Sequence, residues 1–120
     1  MTGLSNFLSF PRIPSPKIPI IENPNLANVF YDRLRHHIKE TEKQLEPNYE
    51  LLIYYYPPGG EPIRVNDIGY HNPSLIILYG HDSKGNENNI LLHMQSVQLI
   101  LKIENRNQDK PKRGIGFLGE

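Results

Sequence analysis

The sequence predicts an α+β domain: one long N-terminal helix packed on an antiparallel sheet of four to five strands. Three observations predict it. Apolar residues recur at helical spacing from Leu26 to Leu45, and after Tyr49 the period changes to two. Short clusters of Gly, Pro, Asn and Asp then divide the alternating part into strand-sized pieces. At 120 residues the chain has room for a single domain. Residues 23–104 are read as that domain, 1–22 as an extended arm, and 105–120 as a basic tail with an apolar hook.

The arm comes first. Pro11, Pro14, Pro16 and Pro19 fix φ and remove backbone donors, so this stretch is expected to be extended or polyproline-like. It is rich in Leu4, Phe7, Leu8, Phe10, Ile13, Ile18, Ile20 and Ile21. Chains that stay disordered are depleted in such residues, so the arm is expected to dock on its own domain or on a neighbouring subunit.

The helix is predicted over 24–45. Asn23 is a suitable N-cap and Pro24 suits the first helical position. Leu26, Phe30, Leu34, Ile38 and Leu45 form a stripe that Ala27, Val29 and Thr41 widen, and Pro47 closes the helix. Charges of both signs, Asp32 to Lys43, suit the solvated side.

Strands are predicted near 50–56 and 62–67, reversed by Pro57, Pro58, Gly59 and Gly60. Asn72–Pro73 breaks the chain, because the residue before a proline is pushed out of the helical region. Ser74–Gly80 is the most strand-like stretch. It leads through the polar turn "HDSKGNE", where Gly85 can take positive φ, into "NNILLHMQ" returning antiparallel. "SVQLILKIE" fits a strand by its alternation of Val97, Leu99, Leu101 and Ile103; a helical face through Leu91, Met94, Val97 and Leu101 competes with it. The tail is polar and basic until Ile115, Phe117 and Leu118.

Composition narrows the function classes. Thirteen basic and thirteen acidic side chains balance, so no global field steers the protein to nucleic acid or anionic membrane. With no cysteine, disulfides, thiolate metal sites and cysteine nucleophiles are excluded. No apolar run approaches the ~20 residues of a membrane helix, and the N-terminus lacks the features of a signal peptide. The default expectation is a cytoplasmic protein.

Three groups of residues invite a chemical reading. His71, His81 and His93 suggest metal, with Asp67 and Asp82 as carboxylates. If the hairpin turns at 83–86, however, His81 lies beside the turn and His93 at the open end, so they cannot share an ion. His36 and His37 point about 100° apart on a helix, unlike the i, i+4 pair of a helical metal site. No metal site, catalytic set or cofactor is expected. Asp67, Gly69, Asn72 and Pro73 read as turn-forming residues in a tight polar loop, a setting that also suits a ligand. Lys112 and Arg113 in "KPKRGIG" stand beside glycines whose amides suit a phosphate, although the spacing of a P-loop is missing. Tyr54, Tyr55 and Tyr56 suggest base stacking. Six acids against three bases between 50 and 104 argue against it.

In "NPNLANVFYDRLRHHIKETEKQLEPNYE", "DIGYHNPSLIILYG", "LLHMQSVQLIL" and "PKRGIGF" the chain resembles an uncharacterised family of small bacterial proteins. The Asp-Ile-Gly-Tyr-x-Asn-Pro-Ser-Leu-Ile motif at Asp67–Ile76 is the most specific part. The resemblance spans about residues 23–118 and implies a bacterial or phage protein; it carries no catalytic residues over.

The leading expectation is therefore a non-enzymatic binding or assembly protein, a homo-oligomer or a partner-bound chain. Its assembly contacts would be Phe7, Phe10, Ile13, Ile18, Ile20, Ile115 and Phe117, with exchanged arms covering open sheet edges. A second expectation is a small-ligand binder for a nucleotide-like anion, with Asp67, Tyr70, His71, Asn72, Lys112 and Arg113 around the pocket. A third, ranked last, is a hydrolytic or transfer enzyme using His71 or His93 with Asp67.

Overall fold

The computed structural model describes residues 23–107 and 109–119. The arm contacts Phe7, Phe10, Ile13, Ile18 and Ile20 lie outside the described residues. One helix, α1 (Ala27–Lys43), packs on one face of a sheet. The strands are β1 (Tyr49–Tyr55), β2 (Ile63–His71), β3 (Leu75–His81), β4 (Glu87–His93), β5 (Leu99–Asn105) and the two-residue β6 (Gly116–Phe117). Their order is β4-β3-β2-β1-β5, all antiparallel, with β6 lying parallel to β2. The α+β class and the antiparallel sheet agree with the sequence reading.

Period two sorts the strand residues between the two faces. Leu51, Ile53, Tyr55, Val65, Ile68, Ile76 and Leu78 point to the helix side and form the core with Ala27, Tyr31, Ile38 and Met94. Ile68, Ile76 and Leu78 are fully buried. The opposite face carries Leu75, Ile77, Tyr79 and His81 from β3, and their register partners from the neighbouring strands.

Several finer expectations are corrected. The helix runs over 27–43, not 24–45, and its N-cap is Leu26 without a side-chain bond. Asn23 caps nothing in α1; its Oδ1 accepts from the Asn25 amide in the approach turn. The first helical amides are satisfied from across the fold: Ala27 N–H donates to Pro73 O at 2.7 Å and Asn28 N–H to Asn72 Oδ1 at 3.0 Å. Ala27, Val29 and Ile38 of the predicted stripe are buried and Phe30 and Leu45 pack partly against the core, but Tyr31, outside that stripe, is buried as well. The reason is the C-terminal tail. Tyr31 stacks on Tyr70 and Phe117, at ring-centroid distances of 4.8 and 5.9 Å, and accepts a hydrogen bond from Gly119 N–H.

The second strand extends to His71, so Asp67 and Gly69 are strand residues and not part of a loop. A bulge between Val65 and Asp67 absorbs Asn66, and the turn is confined to the residues around the cis Asn72–Pro73 peptide. In the ambiguous segment, Met94–Ser96 forms a single 3-10 turn and Leu99–Asn105 is a strand. Gly85 takes the positive φ (+86°) of the β3–β4 turn.

The tail is also corrected. β1 pairs with β2 only at Tyr54–Arg64 and Tyr55–Ile63, and further along β2 its place is taken by β6 beside Asp67 and Ile68. Ile115 and Phe117, expected as assembly contacts, pack against this chain's own core.

Candidate functional site

The face of the sheet away from α1 carries the candidate site, because no described element lies across it. Its residues form rows set by the register. His93, Leu75 and His71 make the first row, and Leu91, Ile77 and Gly69 the second. Asn89, Tyr79 and Asp67 make the third. A fourth crosses all five strands as Glu87, His81, Arg64, Tyr54 and Ile100.

Tyr79 and Leu118 stand between two open grooves. The larger, about 580 Å³, is lined by Asn66, Asp67, His81, Glu87 and Asn89 over Gly80 and Gly85. His81 Nδ1 lies 2.8 Å from Asn66 Oδ1; since that oxygen only accepts, the ring donates from Nδ1. The bulge is what brings Asn66 to the ring. Gly80 is required here: a Cβ on it would collide with the Arg64 carbonyl oxygen. The smaller groove, about 290 Å³, is lined by Tyr70, His71, Asn72, Ile77 and Gly119.

A third cavity, about 210 Å³, opens where β1 and β2 part. Leu51, Ile53, Val65 and Ile115 line it together with Arg64, Asn66, Arg113 and Gly114. At its side Arg113 Nη2 donates to Glu50 Oε2 at 3.0 Å, with the Glu50 side chain 8% exposed and that of Arg113 58%. This hydrogen bond holds the Glu50 carboxyl below its ordinary range, against the opposing effect of burial. The Arg113 guanidinium is raised by the same bond. Arg64 differs: burial, then the charge of Arg113, lowers it, and its buried Nε has no hydrogen-bond partner among the described residues.

The predicted ligand residues are only partly gathered. Tyr70, His71 and Asn72 line one groove and Asp67 the next. Lys112 and Arg113 do not join them. The tail meets the smaller groove through Leu118 and Gly119, while Arg113 points to Glu50. The expected pocket between the Asp67–Pro73 segment and Lys112–Arg113 is therefore two separate places.

Nor does the enzyme constellation assemble. Asp67 and His71 share a face but stand four residues apart on one strand, roughly 13 Å at 3.3 Å per residue. His93 is two strands from His71 with Leu75 between, and its Nδ1 accepts from the Gln95 amide. Among the described residues no three His, Asp or Glu side chains gather to hold a metal ion.

No protein-family model, curated protein or solved structure matches the chain. Also among the described residues, no helix is long and apolar enough to cross a membrane.

Glu50, Arg64, Tyr79, His81 and Leu118 were not singled out as a site from sequence, apart from His81 as a metal candidate. Glu50 had one readable signal: it is an acid at the start of an otherwise apolar strand, "YELLIYY". The others became significant only through register.

Proposed function

We propose that this chain is a non-enzymatic binding and assembly protein, and that residues 1–22 of a second copy cover the outer face of its sheet. The observation that carries the reading is the state of that face. Leu91 is 64% exposed beside Ile77, Leu118 is 58% exposed, and Ile100 is 48% exposed at the far edge. These exposed aliphatic side chains stand apart, at the two edges of the face and on the tail, and are the points at which a second chain would make contact.

The arm suits this surface in chemistry and in starting point. The described chain begins at Asn23, shortly before the Ala27 amide that bonds Pro73, next to the first row of the outer face. Twenty-two extended residues reach roughly 75 Å, against about 20 Å for the width of five strands. A second copy is the preferred source of the arm because both edge strands, β4 and β5, are open in the described fold. The β5 edge also exposes Ile103, at 54%. An arm laid down in its own subunit leaves those edges unpaired, whereas association covers them.

Bacterial or phage origin and a cytoplasmic setting belong to the same proposal: the first is what the resemblance at Asp67–Ile76 implies, and the second is compatible with a sequence without cysteine. The test is the double variant Leu91→Glu with Ile100→Glu in the full chain, followed by sedimentation velocity. Dissociation to monomer with the folded circular-dichroism spectrum retained supports the reading; an unchanged sedimentation coefficient contradicts it.

A further inference from the structure

The cavity between β1 and β2 has a charge and shape that the assembly reading does not use. Arg64 and Arg113 both line one small space, and Glu50 is paired with only one of them. The nearby Glu104 is matched by Lys102 at 4.0 Å, so the neighbourhood retains one uncompensated positive charge. Arg64 also has a buried Nε without a partner among the described residues, although a buried donor is ordinarily bonded. Leu51, Ile53, Val65 and Ile115 supply hydrocarbon walls, and Asn66 and Gly114 complete the lining.

We propose that this cavity binds a small monocarboxylate with a short aliphatic body, its carboxylate held between Arg64 and Arg113. Guanidinium forks match the planar carboxylate, and a single negative charge neutralises what Glu50 leaves over. A dianionic phosphate overshoots that balance. At ~30 Å³ for each water-sized unit, a 210 Å³ cavity takes about seven heavy atoms, which is the size of pentanoate. The site depends on the tail: Arg113, Gly114 and Ile115 all come from the segment leading into β6. Binding is therefore expected to tighten the docking of the C-terminus.

The test uses the full chain and three probes: pentanoate, its neutral isostere pentanamide, and inorganic phosphate. Amide chemical-shift titration by NMR reports the place and calorimetry the affinity. Pentanoate should bind saturably and move the Gly114 and Asn66 amides, while pentanamide and phosphate do neither. Arg64→Gln should weaken pentanoate by roughly tenfold or more, as expected for losing a charge-assisted bond. Equal binding of pentanamide overturns the proposal, because the cavity is then merely apolar. Equal binding of phosphate overturns the assigned ligand class, and an unchanged affinity in Arg64→Gln removes the assigned partner. If that variant does not fold, the pentanoate and pentanamide comparison on the unaltered chain still decides.

Discussion

The two faces of this sheet come from the same strands and differ in what they meet. On the helix side Ile68, Ile76 and Leu78 are fully buried beneath Ala27, Tyr31 and Ile38. On the other side the same strands present Gly69, Asp67, Tyr79, His81 and Arg64, with Leu91 open to solvent. The inner face is held by volume, so its identity is set by packing inside the chain. The outer face mixes glycine floors, paired polar groups and isolated aliphatics, a composition that serves contact with something else. Strand alternation thus separates the residues that build the fold from those available for binding.

Cutting into the inner face should have the largest effect. Ile68→Ala or Leu78→Ala should cost about 2–5 kcal/mol, read from the midpoint of urea unfolding. A loss under half a kcal/mol would mean that the helix side is not the core. Gly80→Ala tests the close approach of β3 to the β2 backbone, because its new methyl meets the Arg64 carbonyl and not a mobile side chain. About 1–3 kcal/mol of destabilisation is expected by the same measurement.

Asn72→Ala should follow at ~1 kcal/mol, since Asn28 N–H loses the acceptor that caps α1 from the β2–β3 turn. Its signature is a loss of amide-exchange protection confined to the first helical turn.

Glu50 gives a pH test. Its folded pKa is depressed, so the stability contributed by its bond to Arg113 is present above the unfolded pKa. That contribution is lost as pH falls through the lower, folded value. Acidification from the ordinary carboxylate range downward should therefore weaken the fold, and Glu50→Gln should flatten that part of the profile. Because Arg113 is more than half exposed, the amplitude should be about 1 kcal/mol or less. An identical acid limb in Glu50→Gln would assign the loss to other carboxylates. Smallest of all, Leu91→Glu in a chain beginning at residue 23 should change stability by no more than about 0.5 kcal/mol, since without the arm the side chain stays in solvent.

The legible part of the fold was what depends on neighbours in sequence. The alternation in Leu75–His81, the polar turn at Gly85 and the helical repeat after Leu26 all act over a few residues. What could not be read depends on distant partners. Tyr31 became core because Tyr70, Phe117 and Gly119 meet it, and the last of these lies 88 residues away. Asn72 caps a helix 44 residues earlier in the chain, so the local candidate Asn23 was misleading. Asp67 and Gly69 resembled a turn because their residue types favour one; pairing with Tyr79 and Ile77 overrode that preference. For the site the pattern is the same. Arg113 was noticed for its charge, but its partner Glu50 and its neighbour Arg64 became visible only when β1 and β2 were seen to part.

The most direct test of the outer face as an assembly surface is native mass spectrometry of the full chain beside a chain beginning at residue 23. An oligomer that becomes monomeric on removal of residues 1–22 is the predicted result. The same assembly state in both chains, whether monomer or oligomer, would contradict it.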